Sequence, residues 1–140
     1  MNLISPLLYT EFQEFCVINL VIRQIDTVFS MAGVQHMPGQ ARRQVSGERR
    51  TRVEEYYASL VWSNVQDVQK FLNTVGYTLA QSYISDEAKG KLRDLFRRDG
   101  FVVDGYKIYL GGKGVSSQVK NLIFAADGPK PEIGEIARQK

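Results

Sequence analysis

The sequence predicts a mainly α-helical domain with one small antiparallel β-hairpin, an α+β fold in which the helices form a bundle. Apolar residues recur at spacings of three and four over most of the first hundred residues, which is the periodicity of amphipathic helices. Around Asp104-Gly105 the pattern changes to alternation, the strongest short signal for a hairpin. A winged-helix arrangement is one way to combine helices with a hairpin, and the pattern leaves that topology open.

Length and composition are those of one ordinary globular domain. The chain has 140 residues, of which 44% are hydrophobic and 24% are charged, and a net charge of only +3. We expect a single helical domain over residues 1–126, containing the hairpin and a short final helix, and a tail or linker over residues 127–140.

The first helical segment begins at Ser5-Pro6, a capping residue followed by a proline at the first helical position. A second capping box is offered by Thr10 and Gln13. Glycine 33 stands where a helix normally ends. Between them the spacing predicts one buried helical face, formed by Ile18, Ile22, Ile25, Phe29 and Ala32.

Residues 34–47 contain proline and glycine and few apolar residues, so they predict a long loop. Three more helices follow, and they begin near Ser46, at the capping box 63–66 and at residues 85–88. The predicted buried positions are Val53, Tyr56, Tyr57 and Leu60 in the first of these, Val65, Val68, Leu72, Val75 and Leu79 in the second, and Ala88, Leu92, Leu95 and Phe96 in the third.

The hairpin spans residues 101–110, with Asp104-Gly105 as its turn and Gly105 at positive φ. Pairing Val103 with Tyr106 places five apolar residues on the face that covers the helices: Phe101, Val103, Tyr106, Ile108 and Leu110. A short helix through Val115, Val119, Leu122 and Ile123 is then expected.

Catalytic and metal-binding motifs are missing from the sequence. One cysteine, Cys16, and one histidine, His36, form neither a disulfide nor a Cys/His metal framework, and we expect no enzyme activity and no cofactor. The apolar run 15–22 is too short to span a bilayer. We therefore expect a cytoplasmic protein that does not enter membranes.

The most unusual segment is a basic cluster of five arginines and one acid within residues 42–52, which we call the arginine cluster: Arg42, Arg43, Arg49, Arg50 and Arg52. Cations at a helix N-terminus are unfavourable, so these side chains need partners. Ion pairs within the domain and a bound anion or partner are both compatible with the pattern. We expect Arg49 to pair with an acid, from Glu54, Glu55 or the 86–87 pair, and the other four to face outward.

The tyrosine pair Tyr56-Tyr57 with nearby Trp62 is compatible with a stacking surface for a partner, and Tyr57 is a candidate contact residue. Burial in the core is the interpretation that we favour. Adjacent helical residues point about 100° apart, so we expect one tyrosine in the core and one at its boundary.

Three runs of short motifs, in residues 21–34, 47–75 and 95–108, resemble an N-terminal module of bacterial proteins of the abortive-infection group (AbiJ-like). Residues 122–133 are similar to the junction that follows this module. The resemblance implies a non-enzymatic module of a bacterial antiviral defence system, acting by self-association or by docking to an effector. From the residues alone, the alternative is a nucleic-acid-binding module in which the arginine cluster neutralises phosphates.

Overall fold

The computed structural model describes residues 2–110 and confirms the predicted fold class: helices with one two-stranded antiparallel hairpin. The predicted helix after residue 114 and the tail lie outside the described residues. No helix in the described part of the chain combines the length and the apolar character that crossing a membrane requires. The elements are α1 (Pro6–Asn19), α2 (Ile22–Met31), α3 (Glu48–Tyr57), α4 (Val65–Leu79), α5 (Asp86–Arg98), β1 (Val102–Asp104) and β2 (Lys107–Tyr109).

Side-chain caps fix three of the helix starts. The Ser5 hydroxyl accepts a hydrogen bond from the backbone N–H of Leu7, and Pro6 occupies the first turn. The Ser85 hydroxyl accepts from the N–H of Ala88 in the same way. At α4 the cap is Asn64, one residue inside the predicted capping box.

The predicted continuous stripe from Ile18 to Ala32 is wrong, because the chain is extended at Leu20 and Val21 and separates α1 from α2. The buried face of α1 is instead Leu8, Phe12 and Cys16, at spacings of four. Ile18 lies two residues beyond Cys16, about 200° around the helix, and is 76% exposed. The prediction failed because the spacing of three and four residues continues across the break, so that it combined residues from the faces of two different helices.

Helix α4 is central to the core, as predicted. Val68, Leu72, Val75 and Leu79 have no exposed surface, and the helix packs against α2 on one side and β2 on another. Replacing such residues with alanine typically costs about 2–5 kcal/mol.

The hairpin forms at the predicted place but in a different register. Val103 pairs with Ile108 and Asp104 with Lys107, so the two-residue loop is Gly105-Tyr106. Gly105 has φ +62°, as expected, and occupies the first loop position, where glycine tolerates positive φ. The predicted inward position of Tyr106 is therefore wrong, and its side chain is 56% exposed at the tip of the hairpin.

The tip of the hairpin rests on a glycine of α4. A Cβ built on Gly76 would lie 2.1 Å from the carbonyl oxygen of Tyr106 and 3.3 Å from its carbonyl carbon. The obstacle is backbone and cannot rotate away. Gly76 is therefore required for the close approach of the hairpin to α4.

We expect Gly76→Ala to destabilise the domain by about 1–3 kcal/mol, because the added methyl group forces the hairpin away from α4. The matched control is Gly90→Ala in α5, where a Cβ meets nothing within 4 Å. Since alanine is the better helix former, this control should stabilise by about 0.5–1 kcal/mol. Urea unfolding measures both values, and equal effects of the two substitutions would contradict the packing role of Gly76.

Candidate functional site

A carboxylate with no exposed surface, Glu54, lies at the centre of the arginine cluster. Arg42 donates to both of its oxygens, from Nε at 2.9 Å and from Nη2 at 3.1 Å. Arg43 Nε donates at 3.1 Å, and the buried side chain of Gln13 donates from Nε2 at 2.7 Å. Four hydrogen bonds, three of them from guanidinium groups, replace the water that burial removed from the carboxylate.

The same contacts attach the loop that precedes α3 to the body of the domain. The guanidinium carbon of Arg42 lies 4.7 Å from the ring centroid of Tyr9 and 5.5 Å from that of Tyr57, within the range of cation–π attraction. The backbone N–H of Arg42 also donates to the carbonyl oxygen of Glu54, at 3.3 Å. Helix α1, the loop and α3 are thus held together at one place.

The next residue, Glu55, holds the first half of the loop. Its carboxylate is 2.6 Å from Nε2 of His36 and accepts a hydrogen bond from the N–H of Gly39 at 2.9 Å. The His36 ring stacks on Tyr56 with the ring centroids 4.8 Å apart. The hydrogen bond to His36, together with that from Gly39 and the charge of Arg52, lowers the pKa of Glu55.

The arginines inside α3 pair with acids of two other helices. Arg50 donates from Nε and Nη2 to the two oxygens of Glu14 in α1, at 2.8 and 2.7 Å, and this contact lowers the pKa of Glu14. Arg52 Nη1 donates to both oxygens of Asp26 in α2, at 2.7 and 2.6 Å.

Asp26 also accepts a hydrogen bond from the hydroxyl of Tyr56, at 2.7 Å. Partial burial opposes the ionisation of Asp26, but the hydrogen bonds from Arg52 and Tyr56 prevail and lower its pKa. For Tyr56, burial and the bond to Asp26 raise the pKa to about 12, so the hydroxyl stays protonated and remains a donor.

The roles predicted for individual arginines are reversed. Arg49, expected to pair with an acid, is exposed and donates from Nη1 to the carbonyl oxygen of Val17, at 2.5 Å. Arg50 and Arg52, expected to be available to a partner, instead form ion pairs with Glu14 and Asp26. The cause is helix packing: α3 lies against α1 and α2, and these helices present Glu14 and Asp26 towards it.

Two further expectations hold only in part. Arg42 and Arg43 are exposed, as predicted, but the guanidinium groups of both bind Glu54. Of the acids proposed as partners in the sequence, Glu54 and Glu55 do take part, whereas Glu87 pairs with Lys91 within α5.

Tyr57 is not a surface contact residue. Only 1% of its surface is exposed, and its hydroxyl donates to the carbonyl oxygen of Tyr9 at 2.7 Å. Tyr56 and Trp62 are buried as well, so the expectation of one core and one boundary tyrosine is wrong. Both tyrosines are accommodated because α3 is enclosed: Tyr56 stacks on Phe29 of α2, and Tyr57 packs edge-on against Tyr9 of α1.

The resulting network is close to electrically neutral: four arginines face four carboxylates, the latter being Glu14, Asp26, Glu54 and Glu55. A phosphate group that bound here would compete with contacts already made at 2.6–3.1 Å. The network positions the loop of residues 35–47 and holds α3 against α1 and α2.

A groove with a volume of about 530 Å³ lies between α1 and α5. We call it the α1/α5 groove. Its apolar part consists of Phe15, Ile18, Ala88, Leu92 and Leu95. Its polar part consists of Glu11, Glu14, Asn19, Ser85, Glu87, Lys91 and Arg98.

The periodicity of the sequence did not predict this surface because it assigned Ile18 to the buried face. The signal that could have found it is the competing stripe Leu8, Phe12 and Cys16, which places Ile18 outside.

Cysteine and histidine often act in catalysis, but Cys16 is buried and His36 is paired with a carboxylate. Cys16 is completely buried, and burial raises the pKa of its thiol well above the ordinary value, so no thiolate nucleophile forms there. His36 is committed to Glu55. Within residues 2–110, no group of three or more His, Cys, Asp or Glu side chains is arranged to hold a metal ion.

Comparisons with protein-family models, with curated proteins and with solved structures found no match to this chain. The winged-helix arrangement and the resemblance to the abortive-infection group therefore stay predictions.

We expect Glu54→Gln to destabilise the domain by about 2–3 kcal/mol, because it leaves two guanidinium groups facing a neutral amide. The cost should stay below the roughly 3–5 kcal/mol of a fully buried pair, since the Arg42 and Arg43 side chains are 27% and 51% exposed and can turn towards water. Glu48→Gln, at an exposed position of the same helix, is the control, with an expected change within about 0.5 kcal/mol. Chemical unfolding compares the two variants, and equal stabilities would refute the anchoring role of Glu54.

The network should also make stability sensitive to acid. The pKa values of Glu14, Asp26 and Glu55 are lowered by folding, from ordinary values of 4.5, 3.8 and 4.5. A lowered pKa contributes stability that is complete above the unfolded value and is lost as the pH falls through the folded one. The melting temperature should therefore begin to fall below about pH 4.5.

The check is a series of thermal melts between about pH 7 and about pH 3. The variant Glu14→Gln/Asp26→Asn/Glu55→Gln should be less stable at neutral pH and should lose less stability on acidification than the wild type. Parallel curves for the two proteins would show that these carboxylates do not carry the acid sensitivity.

Proposed function

We propose that this chain is a non-enzymatic protein-interaction module that docks an amphipathic helix of a partner protein in the α1/α5 groove. The observation that carries the proposal is the exposure of Ile18. Ile18 is 76% exposed, and it lines the groove together with partly buried Phe15 and Leu95 and with several charged residues. A helix laid into a groove contacts it through the same combination of apolar anchors and polar rim.

The dimensions of the groove agree with a helical partner. The lining residues extend from Ser85 to Arg98, the whole length of α5. A 13-residue helix is about 20 Å long, enough for about four turns of a bound helix to lie alongside it. Ile18 and Leu95 would act as the apolar anchors, while Glu11 and Lys91 at the borders favour complementary charges on the partner.

The alternative, a nucleic-acid-binding module, depends on the arginine cluster. Four of its five members are engaged by carboxylates, and Tyr57 is buried, so neither phosphate neutralisation nor base stacking has a free set of side chains there. The remaining member, Arg49, donates to the carbonyl oxygen of Val17. For this reason we place docking of a protein before binding of nucleic acid.

The biological setting is the second part of the proposal. The motif resemblance to the abortive-infection group supports a regulatory role in a bacterial antiviral defence system, in which the partner is an effector and the compartment is the cytoplasm. This setting is supported by the resemblance alone, whereas the docking surface is supported by the geometry of α1 and α5.

The test uses a photo-crosslinking amino acid at position 18 of the full chain in cells. Position 31 is the control, because Met31 is 51% exposed but belongs to α2, which packs against α3 and α4. We expect a protein adduct from position 18 and none from position 31. The purified partner should bind the wild type and Met31→Asp equally, and Ile18→Asp at least about tenfold more weakly, a loss of about 1.4 kcal/mol.

Absence of an adduct at position 18, or equal binding by Ile18→Asp, would overturn the docking proposal. Binding of a short labelled DNA or RNA to the wild type, weakening steeply as salt is added, would support the nucleic-acid alternative instead.

A further inference from the structure

Another cavity, which we call the α4/hairpin pocket, lies between α4 and the hairpin and has a volume of about 240 Å³. Its lining includes Asn73, Gly76 and Tyr77 from α4 and Tyr106 from the tip of the hairpin. Within residues 2–110, no residue lines both this pocket and the α1/α5 groove. We propose that the α4/hairpin pocket binds a small molecule that has one planar aromatic ring and a carbonyl acceptor.

Two tyrosine rings of the pocket have no aromatic partner in the described part of the chain. Tyr77 is 36% exposed and Tyr106 is 56% exposed, and neither ring contacts another aromatic ring there. In the core, by contrast, Tyr56 stacks on Phe29. Stacking on a tyrosine ring favours an aromatic ligand over an aliphatic ligand of the same shape. Because both side chains are partly exposed, such a ligand can reach them from solution.

The two sides of the pocket are held together by contacts that involve the backbone of the hairpin. Gly76 permits the close approach of the Tyr106 carbonyl group, which a side chain at position 76 would prevent. A few residues along α4, the buried side chain of Gln69 donates from Nε2 to the carbonyl oxygen of Ile108 at 3.0 Å. The pocket is therefore largely pre-formed, and a ligand does not have to order its walls on binding.

Asn73 supplies a hydrogen-bond donor. The carbonyl oxygen of Ile108 can only accept, so Gln69 must turn its NH₂ group towards it. The same NH₂ group donates to Oδ1 of Asn73 at 2.8 Å, which fixes the orientation of the Asn73 amide. Among the described residues, Nδ2 of Asn73 then has no hydrogen-bond partner. This donor favours a ligand that carries a carbonyl oxygen.

The volume of the pocket limits the size of the ligand. A cavity of about 150 Å³ accommodates benzene, whereas pockets for drug-sized ligands have volumes of about 300–1,000 Å³. At about 240 Å³, the α4/hairpin pocket has room for one ring with one polar substituent. A single substituted ring is therefore the class of ligand that we expect.

The test is an NMR titration of the full chain with benzamide, which combines a phenyl ring with a carboxamide. The matched probe is cyclohexanecarboxamide, which keeps the carboxamide but has no aromatic ring. Benzamide should shift the backbone amide signals of Gly76 and Tyr106 with a Kd of about 1–10 mM, as is typical of so small a ligand. Cyclohexanecarboxamide should bind at least about fivefold more weakly.

Unshifted signals at these two residues, up to the solubility limit of benzamide, would overturn the proposal. Equal affinities for the two probes would overturn it as well, because the tyrosine rings would then contribute nothing to recognition.

Substitutions test the two roles separately. Tyr77→Leu removes a ring, and Asn73→Asp keeps an oxygen for Gln69 but removes the NH₂ donor, so each should weaken benzamide binding at least about fivefold. Tyr83→Leu is the control, because Tyr83 is 45% exposed and does not line the pocket. Unchanged affinity in either pocket variant would overturn the proposal. The amide spectrum shows whether each variant is folded, and Tyr106→Leu repeats the ring measurement if Tyr77→Leu is not.

The ligand site and the docking function fail separately. Ile18→Asp should leave benzamide binding unchanged, and Tyr77→Leu should leave partner crosslinking from position 18 unchanged, since the two sites share no lining residue. Loss of benzamide binding in Ile18→Asp would assign the binding to the α1/α5 groove and would overturn the proposal for the α4/hairpin pocket.

Discussion

The buried carboxylate of Glu54 is the interaction on which the arrangement of this domain depends. An ionised group without exposed surface is strongly unfavourable unless charged donors replace its hydration. Here these donors come from the loop and from α1, through Arg42, Arg43 and Gln13. The loop must therefore cross α3 at the one place where its arginines can donate hydrogen bonds to this carboxylate. The position of the loop in turn determines how the aromatic side chains beneath the loop are covered.

Pairing of charges between elements also explains why α3 can carry three arginines in its first turns. Positive charge near a helix N-terminus is unfavourable, and Glu48 is the only acid in the first turn of α3. Compensation comes from outside the helix, where Glu14 pairs with Arg50 and Asp26 pairs with Arg52. Each pair is partly exposed and individually of modest value. Together they orient α3 against α1 and α2, so their main contribution is to the specificity of packing.

Because four arginines of the cluster pair with carboxylates of the domain, the surface that we propose for a partner is the partly apolar α1/α5 groove. Helix α1 has two roles: Phe12 and Cys16 face the core, whereas Phe15 and Ile18 face the α1/α5 groove. The face of α1 that borders the groove is the one on which we propose that a partner helix docks.

Local patterns in the chain were enough to predict the mainly helical class, the cap at Ser85, the central position of Leu72 and the positive φ of Gly105, because each depends on neighbours a few residues away. The partners of the arginines were not predictable in this way. Arg50 and Glu14 are 36 residues apart and Arg52 and Asp26 are 26 apart, so only the packing of the helices decides that they meet. The exposure of Ile18 was decided similarly, by a helix break that left the three-and-four spacing intact. The register of the hairpin depends on which two residues form the turn, and the pattern of the sequence did not distinguish turns that differ by one residue. The need for glycine at position 76 arises only because the tip of the hairpin packs against it in the folded chain. Periodicity reports the local conformation of the backbone, whereas charge pairing and exposure are set by surfaces that meet only in the folded chain.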